Sequence, residues 1–235
     1  MHRLLPISLL AALLTAPAAA HAAAGDRVLS DERTESRWAN VNDARPIRSA
    51  PDVAAKRVAR LRYQTEDGLP EVYLALRARS VGETEWVQVR VPGRPNGRTG
   101  WVEREALGPL HVVTTRFVVD RGRLRATLYE HGKRIWRSRI GVGAPGTPTP
   151  RGRFYIRQRL RNLAGNPLYG PWAFGTSAYS VLSDWPGGGV VGIHGTDQPE
   201  LLPGRVSHGC IRVPNAKIAR LAHLMPIGTP VRIVA

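Results

Sequence analysis

Only one stretch of this sequence repeats apolar residues at helical spacing. Ile218, Leu221, Ala222 and Met225 fall at i, i+3, i+4 and i+7. Pro214 suits the first turn of such a helix, and Pro226 with Gly228 stops it. Elsewhere turn signals come too often for helices to grow. Residues 58–63, 72–76 and 86–91 carry β-formers in partial alternation. Glu66-Asp67-Gly68, Ser80-Val81-Gly82 and the tight-turn dipeptide Asn96-Gly97 separate them. The 24 glycines and 19 prolines are therefore punctuation between short strands. The expected fold class is mainly β with one or two short helices.

The N-terminal residues 1–24 have Arg3, a short apolar run from Leu4 to Leu14, and the small residues Ala22-Ala23-Ala24. That order describes a secretory signal peptide, with a retained N-terminal anchor as the alternative. The expected location is outside the cytoplasm, in the periplasm or cell wall. Residues 25–37 are polar and charged and read as a linker. Residues 38–110 then form a first β domain. Its pattern Trp86-Val87-Gln88-Val89, turn, Gly100-Trp101-Val102 resembles the bacterial SH3-like domains, which implies a small β-barrel.

Residues 111–235 make a second domain. Segments 116–120 and 124–130 read as a hairpin closed at Arg121-Gly122, and His131-Gly132 turns the chain into a strand over 134–142. In the glycine-rich run that follows, Pro145, Pro148 and Pro150 force an extended path. They also remove amide donors, and no Lys-Ser/Thr pair follows, so a phosphate-binding loop is rejected. Residues 162–189 are rich in Gly, Pro and aromatics, among them Tyr169, Trp172, Phe174, Tyr179 and Trp185. They read as a long turn-rich segment that lines a groove or anchors itself in the core.

The formal net charge is +16, spread along the whole chain. Scattered cations suit long-range attraction to a polyanion, here an anionic cell envelope, more than base-specific reading of nucleic acid. The single cysteine, Cys210, cannot form an internal disulfide, so in an exported chain the thiol is a liability unless it is used. Two segments suggest its use. Val190-Val191-Gly192-Ile193 delivers His194 at the end of an apolar strand, and Ser207-His208-Gly209 leads into Cys210-Ile211-Arg212. A thiol attacks as thiolate and needs a base within reach. His194 can reach across from a neighbouring strand, whereas His208 lies two residues from Cys210. Gly209 lets the backbone bend tightly and lets nearby amides face a developing oxyanion.

This constellation resembles the L,D-transpeptidase (YkuD-type) family, whose signature is His-Gly, a spacer, then Ser/Thr-x-Gly-Cys, an apolar residue and Arg or Asn. Here these are His194-Gly195 and Ser207-His208-Gly209-Cys210-Ile211-Arg212, and the Gly-Thr-Pro-Thr-Pro run at 146–154 matches too. The spacer at 195–206 is slightly shorter than the commonest one. The resemblance implies a β-sandwich catalytic domain acting on peptidoglycan stem peptides, without cofactor or metal, as a monomer. Cys210 would attack the bond between an L-centre and a terminal D-residue, and His194 would serve as base, oriented by a backbone carbonyl such as that of Gly195. Gly195, Gly209, His208 and Ser207 would support the site, and Arg212 would bind substrate. Water as acceptor would make the enzyme an L,D-carboxypeptidase, and a non-enzymatic wall-binding protein is a further alternative. A zinc site on His194, His208 and Cys210 has atypical spacing, and a papain-like enzyme usually places its Cys before its His.

Overall fold

The computed structural model describes residues 25–162, 165–184 and 186–235; residues 1–24, expected to be a signal peptide, and Trp185 lie outside the described residues. The described residues are mainly β, in two sheets. The first holds β1 (Arg27–Val28), β2 (Ser36–Asn40), β3 (Pro46–Arg48), β4 (Arg57–Arg60), β5 (Val72–Val81), β6 (Thr84–Arg90), β7 (Thr99–Glu103) and β8 (His111–Val113). Its order is β4-β3-β7-β6-β5-β2-β8, with β1 also on β5. Ile47, Leu61, Tyr73, Val87, Val89 and Val102 fill its own core.

Residues 25–37 do not form a linker. β1 and the start of β2 both pair with strands of the first sheet, and Leu29 between them is 2% exposed. The polar residues close the turn between them: Asp31 accepts the backbone N–H groups of Arg33, Thr34 and Glu35. Such side-chain capping of a turn is what short polar residues do well. At the other end, His111–Val113 pairs with β2, so the first sheet runs past residue 110.

The second sheet holds β9 (Thr115–Asp120), β10 (Arg125–Glu130), β11 (Lys133–Arg139), β12 (Gly141–Gly143), β13 (Gly152–Arg161), β14 (Trp172–Tyr179), β15 (Val190–His194), β16 (Gly204–Ser207), β17 (Ile211–Arg212) and β18 (Pro230–Val234). Its order is β11-β10-β9-β18-β13-β14-β15-β17-β12-β16. The expected helix is α1 (Asn215–Leu224), preceded by Pro214 in an extended conformation. Ile218, Leu221 and Ala222 on one side of it join Phe117, Leu128, Phe154, Phe174, Ile193 and Ile211 in the core.

The turn-rich reading of 162–189 misses β14, which is buried between β13 and β15. Its residues Ala173, Gly175, Thr176, Ser177 and Ala178 are small, so a central strand carries little apolar signal. Gly175 is small for a reason: a Cβ there would lie 2.6 Å from Gln158 Cγ on the adjoining strand.

Candidate active site

Parallel pairing of β15 with β17 sets Ile193 beside Ile211 and His194 beside Arg212, and Val213 N donates to His194 O at 2.8 Å. The sheet therefore brings the end of β15 against the turn that carries Cys210. Gly192 shows how close the two side chains come. A Cβ built on it would lie 3.6 Å from His194 Cδ2 and 3.8 Å from Cys210 Sγ. The Gly192 N–H donates to Cys210 Sγ at 3.4 Å. Both side chains line one cavity of about 360 Å³, together with Tyr169, Leu160, Phe174 and Gln158. Tyr169 meets the His194 ring edge-on, with centroids 5.0 Å apart.

His194 is 3% exposed. Its Nδ1 lies 2.6 Å from Gly195 O, a carbonyl that can only accept, so Nδ1 carries the proton and Nε2 keeps its lone pair. Gly195 can serve because it has no side chain: a Cβ would sit 2.3 Å from Asn215 Oδ1 and 2.9 Å from Gly170 Cα. Asn215 Oδ1 in turn accepts Thr196 N at 2.9 Å.

The turn at 207–210 is held by neutral hydroxyl groups. Ser207 Oγ donates to Cys210 O at 2.6 Å and accepts Gly209 N at 3.2 Å. Thr149 Oγ1 donates to Gly209 O at 2.8 Å, and Thr147 Oγ1 to Ser207 O at 3.1 Å. Ser180 Oγ donates to His208 O at 3.0 Å. The Thr-Pro-Thr-Pro run thus has a structural use, as the bed on which the cysteine turn lies. Gly209 has φ +116°, a conformation that side chains rarely adopt.

Burial drives His194 down to about 4; Arg212 adds to this, while the Gly195 bond and Asp197 oppose it. Burial also pushes the Cys210 thiol up, against the Gly192 hydrogen bond and Arg212. Both shifts favour the uncharged forms of the two groups, thiol and neutral imidazole.

Of the residues expected at the site, Cys210 and His194 line the cavity. Ser207, Gly195 and Gly209 lie behind them. The amides of Gly195 and Gly209 donate to Trp172 O and Ser207 Oγ, so both glycines shape the site without offering a free donor. His208 is exposed. Arg212 is 8% exposed, donates to Gln198 Oε1 at 3.0 Å, and is not among the described residues lining the cavity. Among the described residues no group of three or more His, Cys, Asp or Glu could hold a metal ion.

The first sheet also reaches the site. Arg94 donates to Ser180 O, Leu182 O and Gly188 O, and Asn96 exchanges two hydrogen bonds with the Tyr179 backbone. Asp67, from the turn before β5, lines the cavity itself. Nothing in a turn signal such as Glu-Asp-Gly reveals that use.

A strand-borne histidine set against a cysteine turn is an arrangement able to support nucleophilic chemistry. Residues 114–233 match the YkuD family model, described as the L,D-transpeptidase catalytic domain, and the chain belongs to that family. A YkuD protein of Bacillus licheniformis, named for L,D-transpeptidase activity, is 37% identical over 106 residues, 45% of this chain and 57% of its own length. Its Bacillus subtilis counterpart is 39% identical over 94 residues, 40% of this chain and 50% of its own length. The chain thus spans about half the length of the curated relatives it matches. Among solved structures, an Enterococcus faecium L,D-transpeptidase is 30% identical with a TM-score of 0.41, covering 51% of this chain and 49% of that one. A Mycobacterium smegmatis L,D-transpeptidase is 16% identical with a TM-score of 0.45, covering 85% of this chain and 99% of that one.

Proposed function

We propose that this chain is an exported peptidoglycan L,D-transpeptidase with Cys210 as nucleophile and His194 as base. The observation that carries it is the convergence of Cys210 Sγ and the His194 ring over Gly192, within one cavity. Cys210 Sγ attacks the carbonyl between the L-centre and the terminal D-residue of a donor stem tetrapeptide. The thiol proton passes to His194 Nε2, the C–N bond breaks, and the departing D-amino acid takes that proton. The resulting thioester is attacked by an amine of a neighbouring stem, which gives its proton to His194; the new amide forms and the thiol is restored. Ser207, Gly209 and Gly195 hold the two reacting groups in place. The N-terminal sheet is read as an SH3-like module, on the strength of its Trp-Val-x-Val hairpin, and the positive charge of the chain draws it to an anionic envelope.

Intact-protein mass spectrometry with a disaccharide-tetrapeptide tests this reading. Wild type is expected to gain a thioester adduct lacking the terminal D-residue, then to yield dimeric product. Cys210→Ala is expected to lose every adduct and all product. Release of tripeptide without dimer would make water the acceptor. Absence of any adduct, with iodoacetamide still labelling Cys210, would favour a wall-binding protein.

A further inference from the structure

The cavity beside Cys210 is bounded mainly by neutral groups, including Leu160, Phe174, Val190 and Tyr169. Asp67 is the one formally charged side chain among its described lining residues, in a protein with a net charge of +16. It does not come from the domain that carries Cys210 and His194. It stands in the turn between β4 and β5, closed by Gly68 N on Thr65 O at 3.1 Å and Thr65 N on Leu69 O at 2.8 Å.

Three observations make this carboxylate a prepared group. Gln158 Nε2 donates to Asp67 Oδ2, and Thr65 Oγ1 donates to Gln158 Oε1 at 2.7 Å, which fixes the amide so that its NH₂ faces Asp67. The nearby arginines are engaged elsewhere: Arg62 and Arg157 pair with Glu66 and Glu71. Among the described residues Asp67 has no cation within salt-bridge distance. Asp67 and Cys210 also both act on the Tyr169 hydroxyl, which burial pushes up first and these two groups push further. Tyr169 is the residue packed on His194, and it lines the same cavity as Asp67 and Cys210.

We propose that Asp67 is a specificity residue that pairs with a free ammonium group on the bound acyl-donor peptide. The inference rests on the acyl-transfer reading of Cys210. The ammonium is a spectator. An attacking amine must be neutral, and a carboxylate paired with it would hold its proton in place. A side-chain ammonium on the donor meets no such conflict. It replaces water around an exposed carboxylate with a charge-assisted hydrogen bond. The N-terminal sheet thereby takes part in choosing the substrate.

The test uses the mature chain, wild type and Asp67→Asn, with two tetrapeptides that differ only in whether a third-position lysine is free or Nε-acetylated. The initial rate of Cys210 adduct formation is read by intact mass against peptide concentration. Wild type is expected to favour the free amine about tenfold in kcat/KM, chiefly through KM, as one charge-assisted bond warrants. Asp67→Asn is expected to lose that preference while handling the acetylated peptide as wild type does, which also reports that it is folded. Asp67→Glu is expected to restore part of the preference. Equal efficiencies in wild type, or a preference that survives in Asp67→Asn, would overturn the inference alone. No adduct from either peptide, with Cys210 still alkylated by iodoacetamide, would overturn the acyl-transfer reading and this inference with it.

Discussion

Two buried polar clusters flank β14 and are built from opposite materials. On the β13 side, Arg157 is 1% exposed, and its guanidinium meets the carboxylates of Glu71 and Glu66 and the hydroxyl of Tyr179. Tyr179 also donates to Glu66, and Arg62 closes the cluster from outside. On the β15 side, His194 is equally buried, but its partner is a backbone carbonyl, and Asp197 acts on it only through space. The first cluster joins the two sheets through ion pairs between Arg157 and the carboxylates of Glu66 and Glu71. Burial works to raise Glu66, yet Arg157, Tyr179 and Arg62 bring it down to about 2. The second holds an imidazole whose charged form gains only a carbonyl hydrogen bond and a distant carboxylate, too little to offset its burial. A joint can be made of fixed charge; a proton carrier cannot.

The comparison breaks most visibly at the joint. Glu71→Ala leaves Arg157 buried without its main partner and is expected to cost about 3–5 kcal/mol, read as a lowered urea midpoint. A Glu71→Leu, Arg157→Met double variant is expected to recover most of that loss, since an apolar pair leaves no charge stranded. A single-variant loss below about 1 kcal/mol would mean that the joint is not held by its ions.

Acid titration sharpens the contrast, because the two clusters fail in different windows. His194 binds a proton near pH 4 in the fold and near 6.5 when unfolded, so the unfolded chain takes up more protons between those values. Stability therefore falls as pH drops from 6.5 to 4, by about 3 kcal/mol. Glu66, lowered from 4.5 to about 2, contributes stability that is present above 4.5 and lost only below it. Urea midpoints at pH 7, 5.5, 4 and 3 check both. His194→Gln is expected to flatten the upper window and leave the lower one, and Glu66→Gln the reverse. A His194→Gln variant that keeps the whole upper loss would assign it to another group.

The neutral cluster was far more legible in the sequence than the charged one. His194, Cys210, Ser207 and Gly209 stand in two short segments whose residue types have a chemical reason to occur together, and the helix at 215–224 follows from its period. Glu66, Glu71 and Arg157 carry no such mark. Arg157 lies 91 and 86 positions from Glu66 and Glu71, and each charge on its own reads as solvated; only the docking of the first sheet on β13 makes them a cluster. Asp67 was hidden the same way, as a turn residue between two strands. β14 was obscured because a central strand that must admit Gln158 against Gly175 cannot also be rich in large apolar residues. The linker reading failed on local chemistry, since Asp31 uses its charge to close a turn rather than to stay in water.

The smallest expected effect is the most discriminating for the neutral cluster. Ser207 Oγ is the one side-chain atom that both donates to the carbonyl of Cys210 and accepts the amide of Gly209. Ser207→Ala removes two hydrogen bonds between uncharged groups and is expected to cost about 1–2 kcal/mol in stability, well below the loss at Glu71. Its effect on chemistry should be out of proportion, about tenfold in the rate of Cys210 acylation, because the sulfur's position relative to His194 depends on that turn. The pH profile of acylation should stay unchanged, since Ser207 moves no proton. Ser207→Thr, which keeps the hydroxyl, should recover much of the rate. A stability loss without a rate loss would make the turn mere scaffolding. A rate loss with a shifted pH profile would place Ser207 in the proton path, and the division between a charged joint and a neutral site would have to be redrawn.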